Sequence, residues 1–499
     1  MNVPSEEFSR PIAAAQTLGD AAQDGEHFVD RPVLLTGEVA VLKTCNGAFM
    51  AEDGLRLLVR SWKRVTVYVP KEMSALLVSL QAIAKAIEFA EHVAFLDEEP
   101  SYADYDAILS IGIQARAELA WTVINSNGWL ARVSSSGTSL ESDCGQDNPL
   151  GALAAASLGV ADVFKRTAKV RFERAELFDA LTFSCYDFIT GHNDAGPPLP
   201  GTIRLPPTLF LGQGAIGNAI TLLAGQLPLE GKALLLDKDH YGMENLGTCV
   251  LLGPAAAGEG YPKANWNLNY LKARGSKLEL NAVTSDIEAA KKVVEPYLGL
   301  LVNGLDRVEP RYAAQDLWPD AIVDGALREF QCQFVSYDHD AGFACLRCLF
   351  QLPDGPDPLE AQARATGLPR NVLQRNLEIT KELIEMAPED KRPFLQARIG
   401  KPACSVAADM AAITEGPVKE GFAPSVPFVA AMSGVLVMAE VIRRLIGQTV
   451  GVRKFYFDVL VGPERGARIN EQAKSTCRCQ TRKGPIERQR ANWQSAAAS

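Results

Sequence analysis

The sequence predicts an α/β protein with doubly wound parallel sheets whose two halves share one plan. After residue 207, short apolar runs such as "TLFLGQG", "KALLLDKD" and "GLLVNGLD" alternate with helical patterns, which is typical of a parallel sheet covered on both faces. The same rhythm occurs upstream in "PVLLTG", "RVTVYVP" and "YDAILSIG". A helix rich in small residues follows in each half, and the two helices end alike, in "ADVFKR" and "AEVIRR". The two halves therefore look duplicated.

Composition narrows the class of protein. A chain of 499 residues is long for one core, and 47% apolar with 22% charged residues is ordinary for a globular protein. A net charge of -10 argues against nucleic-acid binding. The start "MNVPSEEFSR" resembles no secretory signal, and the apolar segment from Val426 contains Pro427 and Glu440, so we expect a buried helix and no membrane partner. We expect a cytoplasmic protein.

The glycine loop "LFLGQGAIGN" presents Gly212, Gly214 and Gly217 after an apolar strand. In this pattern the glycines allow a tight turn, backbone approach to phosphate and close packing of the helix on the strand. Asp237, at the end of the next strand, could accept hydrogen bonds from ribose hydroxyls. These features fit an NAD site and an ATP site equally well.

Two later residues favour ATP. Lys263 begins a predicted helix, and Asp306 ends a later strand with Arg311 five positions on. Attack of a carboxylate on ATP requires a cation near the phosphates and a carboxylate for Mg²⁺, whereas hydride transfer requires neither. The five histidines form no metal-ligating or triad-like cluster.

These motifs together resemble the ThiF, MoeB and ubiquitin-activating-enzyme superfamily of adenylyltransferases. That family has a glycine loop, a D-x-D, an N-L, a lysine, an aspartate with a following arginine, and a C-x-x-C. This chain has the glycine loop, Asp237 and Asp239, Asn245, Lys263, Asp306 with Arg311, and the Cys345/Cys348 pair in that order. The resemblance implies that Asp237 holds ribose, Asn245 and Lys263 lie near the phosphates, and Asp306 serves the metal.

Two positions depart from the family pattern. Thr248 stands where the family usually has an arginine, and Arg307 replaces the usual asparagine after Asp306. The segment "EEFSRPIAAAQTLG" resembles the Ser-Arg element with which the companion domain reaches the nucleotide, which makes Arg10 a candidate for the missing arginine. The alternative is a solvated arginine at a frayed terminus.

The cysteines suggest two further sites. By resemblance, Cys345 and Cys348 form half of a structural zinc site, and Cys477 and Cys479 offer the second pair, although C-x-C is shorter than usual and a degenerate or empty site is the alternative. Cys404 follows Lys401 and precedes a predicted helix, a setting that lowers the pKa of a thiol. Ubiquitin-activating enzymes have their thioester cysteine in this interval. A buried structural cysteine is the alternative for Cys404.

The resemblance implies a single-chain activating enzyme for a ubiquitin-like protein, similar to the BilD-type enzyme of bacterial conjugation operons, some of which defend against phage. It would use ATP, Mg²⁺ and Zn²⁺, with a conjugating enzyme as partner and a homodimer as a candidate assembly. Residues 1–190 would be an inactive adenylation-like domain, and residues 191–207 would be a linker. The active domain would comprise a nucleotide-binding part at 208–352, a crossover with the catalytic cysteine at 353–410, and a remaining part with the zinc site at 411–482. Residues 483–499 would be a flexible tail.

Two other functions stay open at this stage. An adenylyltransferase for sulfur-carrier proteins in cofactor biosynthesis would share every ATP-binding residue and use Cys404 differently or not at all. An NAD-dependent oxidoreductase or an inactive Rossmann-type scaffold would share only the glycine loop.

Overall fold

The computed structural model describes residues 6–339, 341–350, 362–364, 366–374, 377–401, 403, 406, 425–447 and 451–498. The chain divides into two compact units. The larger comprises Met1–Phe350 and Pro424–Ser499, and the smaller comprises Gln351–Ala423. Each predicted half contributes one sheet to the larger unit.

The first half is built on seven strands. They are β1 (Val33–Gly37), β2 (Val65–Tyr68), β3 (Val93–Leu96), β4 (Ala107–Ile111), β5 (Trp121–Asn127), β6 (Leu130–Ser134) and β7 (Leu181–Ser184). The α-helices are α1 (Ser9–Thr17), α2 (Val39–Leu42), α3 (Cys45–Leu58), α4 (Ser74–Ala86) and α5 (Pro149–Thr167). The strand order is β3-β2-β1-β4-β5-β6-β7. The first five strands in this order pair in parallel, and β6 and β7 add antiparallel.

Among the residues that the structure describes, the second half forms nine strands. They are β8 (Ile203–Arg204), β9 (Thr208–Leu211), β10 (Leu229–Leu236), β11 (Lys277–Val283), β12 (Leu300–Asn303), β13 (Ala321–Arg328), β14 (Gln331–Asp338), β15 (Lys454–Asp458) and β16 (Ala467–Ile469). The helices before the smaller unit are α6 (Ala215–Ala224), α7 (Pro254–Gly258), α8 (Lys263–Ala273), α9 (Lys291–Val294), α10 (Val308–Gln315) and α11 (Leu346–Leu349).

The chain then enters the smaller unit and returns to the larger one. The smaller unit contains α12 (Arg370–Gln374), α13 (Lys381–Met386) and α14 (Arg392–Gln396), and the returning chain forms α15 (Pro427–Leu445), α16 (Arg478–Thr481) and α17 (Lys483–Ala498). A cluster including Leu373, Ile384 and Leu395 is the core of the smaller unit.

The predicted duplication is visible in the strand order. The second sheet runs β11-β10-β9-β12-β13-β14-β15-β16, with β8 pairing to β10. Its first seven members therefore repeat the first sheet strand by strand, including the change from parallel to antiparallel pairing at β13 and β14. The expected fold class, α/β with two parallel-rich sheets, is confirmed.

The two helices compared in the sequence pack against each other between the halves. Helices α5 and α15 each span 19 residues and begin with a proline, a residue that favours the first helical turn because it lacks an N–H. They are in contact, and the Phe164 ring lies 5.6 Å from that of Phe428. The main hydrophobic core is therefore shared by both halves.

Two boundaries differ from the sequence-based expectation. Within the expected linker, β8 pairs with β10, so residues 203–204 belong to the second sheet. The expected flexible tail forms α17 instead, with Ile486 and Trp493 buried in the second core cluster. Apolar residues are sparse in this helix, which is why the sequence resembled a tail. Among the described helices, none has the length and apolar character needed to cross a membrane.

Candidate nucleotide site and cysteine cluster

The candidate site lies where the second sheet changes direction. Strand β9 pairs with β10 on one side and with β12 on the other, and β10 and β11 follow β9 in the chain before it returns to β12. Loops at the carboxyl ends of two such strands diverge and leave a crevice, the usual ligand position in this architecture. The glycine loop follows β9, and Asp306 follows β12.

The three glycines have distinct roles. Gly212 has a φ of +81°, and a Cβ there would meet the backbone of Gly304 at 3.1 Å, so the glycine loop touches the loop that carries Asp306. A Cβ on Gly217 would lie 2.1 Å from the Gly212 carbonyl oxygen. Gly214 precedes helix α6 and faces open space. Only Gly214 therefore borders room for a ligand at the positive end of the helix dipole.

A buried polar network behind the loop was not predicted from the sequence. The Tyr241 hydroxyl donates to the Gln213 carbonyl at 2.8 Å and also bonds to Asn218. Asn267 Nδ2 donates to Gln213 Oε1 at 2.9 Å. A buried asparagine in the apolar helix α6, such as Asn218, is the one signal that could have indicated it. The network holds the glycine loop in one conformation, because buried polar groups that are fully hydrogen-bonded favour a single arrangement.

Asp237 joins the end of β10 to the glycine loop. Its carboxylate accepts the backbone N–H groups of Gln213 at 2.6 Å and Asp239 at 2.8 Å. Burial raises the pKa of the Asp237 carboxyl, and the opposing effect of the Lys263 charge is smaller. Asp239 has a side chain 53% exposed. Asp237 thus positions the loop, and Asp239 is the more accessible of the two acids.

Lys263, the first residue of α8, points toward these acids. Its ammonium lies 3.9 Å from Asp239 Oδ2, and its side chain is 13% exposed. Burial acts to lower the pKa of Lys263, but the negative charges of Asp237, Asp239 and Asp306 outweigh burial and the pKa is raised. Lys263 is therefore a cation held among acidic residues beside the glycine loop.

Arg311 supports the Asp306 loop from inside the protein. Its Nε donates to both oxygens of buried Asp324 at 3.1 and 3.2 Å, and its Nη2 donates to the carbonyls of Leu305 and Gly325. Asn303 bonds to the same Asp324. Burial raises the pKa of Asp324 to about 6, although Arg311 opposes this shift. Arg311 is thus a positioning residue, whereas Asp306 is exposed.

The side chain of Asn245 is directed at its own turn. Its Oδ1 accepts the Gly242 N–H at 3.0 Å, and its carbonyl accepts the N–H groups of Thr248 and Cys249. Thr248 is buried. Asn245 therefore shapes the segment that follows Asp239, and Thr248 offers no charge to the crevice.

Arg10 lies against this same segment although it belongs to α1 of the first half. A Cβ on Gly247 would lie 3.4 Å from Arg10 Cβ and 2.8 Å from Pro11 Cδ. Burial raises the pKa of the Cys249 thiol, while the charges of Lys263, Arg10 and Arg60 act to lower it. Two cations of the first half and Lys263 of the second half therefore act on the same buried thiol.

The first half has a different arrangement at the equivalent place. Glu38 follows β1, and its Oε1 accepts the N–H groups of Ile113 at 2.9 Å and Gln114 at 2.7 Å in the loop after β4. A Cβ on Gly112 would lie 2.4 Å from the same oxygen. A carboxylate of the protein itself thus occupies the crevice of the first sheet.

The four predicted zinc ligands come together. The sulfur atoms of Cys345, Cys348, Cys477 and Cys479 all lie within 4.8 Å of one another. Three Sγ–Sγ pairs measure 3.7 Å, which is the edge of a tetrahedron with Zn–S bonds of about 2.3 Å. The Lys474 N–H lies 3.4 Å from Cys348 Sγ. The short C-x-C spacing therefore does not prevent a Cys₄ arrangement, and the donor set fits zinc.

Cys404, the predicted nucleophile, lies outside the described residues. Nearby described positions in the smaller unit include Lys401, whose backbone N–H donates to Arg398, and buried Ala403.

Comparisons with known proteins bear on part of the chain. Residues 55–176 match the family model of the BilD N-terminal domain, and the expected BilD-type resemblance is confirmed there. "Uncharacterized protein y4jF" of Sinorhizobium fredii (strain NBRC 101917 / NGR234) is 26% identical over 349 residues, covering 65% of each protein. The chain thus spans less than two thirds of this relative.

Two solved structures are more distant. E. coli MccB with MccA-N7isoASN is 16% identical, with a TM-score of 0.34, and the match covers 55% of this chain and 67% of that one. E. coli MccB alone is 13% identical, with a TM-score of 0.36, over 55% and 65% of the two chains.

Proposed function

We propose that this chain, whose residues 55–176 match the BilD N-terminal domain, activates the C-terminal glycine of a ubiquitin-like protein by adenylation with ATP. The observation that supports the proposal is that segments far apart in sequence meet at the glycine loop. A Cβ on Gly212 would touch Gly304, two residues before Asp306, and Lys263 lies 3.9 Å from Asp239, the residue whose N–H donates to Asp237. An NAD site requires neither Lys263 nor Asp306.

In the proposed reaction, a carboxylate oxygen of the terminal glycine attacks the α-phosphorus of ATP. The bond between the α-phosphorus and the bridging oxygen breaks, and pyrophosphate leaves with its electrons. Lys263 and the N–H groups at the start of α6 stabilise the negative charge that develops. Asp306 would hold Mg²⁺, which neutralises phosphate charge when bound.

Arg10 would add a cation from the first half. Its place beside Gly247 and Cys249 supports this role, because the second half has Thr248 where the family has an arginine. The first half itself would bind no nucleotide, since Glu38 already accepts the loop N–H groups in its crevice. One half would be active and the other would assist it.

The later steps concern the smaller unit and the cysteine cluster. The Cys404 thiolate would attack the acyl carbon of the adenylate, form a thioester and release AMP, and a conjugating enzyme would accept the acyl group. Zinc on four thiolates would have no open position, so its role would be to join the chain around α11 to the chain around α16. A cellular role in a bacterial conjugation operon, including defence against phage, is part of the same proposal.

The test is ATP–pyrophosphate exchange with a small carrier ending in glycine, chosen from the reading frames next to the gene. Exchange should require the carrier and be lost in Lys263→Ala and Asp306→Ala. A thioester that is cleaved by reducing agent and joins the carrier to this chain would support the ubiquitin-like route over a sulfur-carrier adenylyltransferase. NAD binding without exchange would overturn adenylation.

A further inference from the structure

Two charged side chains of the first half form hydrogen bonds with the backbone of one turn of the second half. The turn, Leu252–Ala255, follows Cys249 and includes the first two residues of α7. Arg60 Nη2 donates to the Leu252 carbonyl at 2.7 Å, and the Ala255 N–H donates to Glu88 Oε2 at 2.6 Å. A donor and an acceptor of the first half thus hold the two ends of this turn.

Both residues are unusual where they stand. Arg60 is fully buried, and its Nε and Nη1 have no hydrogen-bond partner among the described residues. Its guanidinium lies 5.1 Å from the centre of the Phe89 ring. Glu88 has a φ of +59°, a conformation that strains the backbone of a non-glycine residue. A strained backbone of this kind persists where the surrounding structure holds it in place.

The Leu252–Ala255 turn is connected to the candidate nucleotide site by hydrogen bonds. The Leu252 N–H donates to the Cys249 carbonyl, and the Cys249 N–H donates to the Asn245 carbonyl. The intervening Leu251 donates its N–H to Asn218 Oδ1 at 2.9 Å and accepts from Trp266 Nε1 at 3.0 Å. Asn218 belongs to the network under the glycine loop, and Trp266 lies on α8 with Lys263.

We propose that Arg60 and Glu88 are positioning residues through which the first half holds the nucleotide site of the second half in its binding arrangement. This inference rests on the proposed function for the identity of the ligand. The first half would contribute through the Leu252–Ala255 turn, in addition to any contact made by Arg10. Losing the hydrogen bond of either residue would make the segment from Asn245 to Leu252 more mobile and would move Lys263.

The experiment combines hydrogen exchange with nucleotide binding in the full chain. Arg60→Met should increase amide exchange in residues 245–252 and weaken ATP binding, measured by calorimetry with Mg²⁺, by about five- to tenfold, which is less than the full effect of a charged hydrogen bond because Arg60 acts on the site indirectly. Arg60→Lys should restore part of both. Arg166→Met is the matched control, because Arg166 also donates to backbone carbonyls, but only within the first half.

Glu88→Gln provides an independent variant on an exposed side chain, should Arg60→Met fail to fold. Its weaker acceptor should also increase exchange in residues 245–252. The proposal is overturned if folded variants at both positions exchange like the wild type at these residues. If the wild type binds no ATP, the proposed adenylation is refuted. The exchange measurement still tests whether Arg60 and Glu88 hold residues 245–252 in place.

Discussion

The Asp237 carboxylate accepts the backbone N–H of Gln213 at 2.6 Å, which ties the end of β10 to the glycine loop. In the first half, Glu38 makes a different link, from the end of β1, the counterpart of β9, to the loop after β4, the counterpart of β12. Each carboxylate therefore joins the carboxyl ends of two neighbouring strands, but of different strand pairs. They differ in consequence, because the Asp237 link leaves Gly214 facing open space, whereas Glu38 occupies the crevice of its own sheet.

This comparison predicts that replacing each carboxylate by its amide has unequal effects on ATP binding. Asp237→Asn removes the charge and one acceptor from the glycine loop and should weaken ATP binding by about tenfold or more, given about 1.5–3 kcal/mol for a charged hydrogen bond. Glu38→Gln is the matched control and should leave ATP affinity unchanged. Calorimetric titration measures both. Equal losses in the two variants would argue against a single active half.

Zinc should stabilise the larger unit without taking part in adenylation. Cys345→Ser and Cys477→Ser each remove one of four thiols and should lower the zinc content from about one ion per chain toward zero, with a fall in Tm. Cys45→Ser, at an exposed thiol outside the cluster, should change neither. Elemental analysis and thermal melting supply the readouts, and full zinc content in both cluster variants would refute the assignment.

A buried carboxyl between the halves makes stability depend on pH. Burial raises the pKa of Asp53 from 3.8 to about 7, while Arg56 and the hydrogen bond from Gln226 oppose the shift. The folded state therefore favours the protonated acid, and this contribution to stability is present below about pH 4 and lost as pH rises toward 7. Asp53→Asn cannot ionise, so its stability relative to wild type should improve between pH 5 and pH 8.

Urea unfolding at the two pH values measures this difference. Asp104→Asn, at an exposed carboxylate, is the control and should show no such change. A difference between Asp53→Asn and wild type that stays constant with pH would mean that Asp53 titrates alike in the folded and unfolded protein.

Substitution of Cys404 should separate the two proposed chemical steps, adenylation and thioester formation. Cys404→Ala removes the thiol but none of the residues around the glycine loop, so it should abolish the thioester and retain pyrophosphate exchange. Cys144→Ala is the control and should retain both. Gel electrophoresis with and without reducing agent detects the thioester. A folded Cys404→Ala protein that also lacks exchange would show that the roles are wrongly assigned.

The sequence was informative where the chemistry is local. The glycine loop, Asp237 and the alternation of strands and helices lie within short segments, and the paired helices α5 and α15 carried similar endings. Arg60, Glu88 and the Asn218–Tyr241–Asn267 network act through partners distant in sequence, which no spacing reveals. Arg311 was recognised by its place in a motif, yet its partner Asp324 and hence its positioning role required the structure. Helix α17 was missed because polar residues dominate its surface.

The most direct test of the central claim is a crystal structure of the full chain with Mg²⁺ and a non-hydrolysable ATP analogue. The account predicts the triphosphate at the glycine loop, with the Lys263 ammonium within hydrogen-bonding distance of a phosphate oxygen and the Asp306 carboxylate on the metal or its water. A nucleotide bound with both side chains turned away from the phosphates, or bound elsewhere, would contradict it.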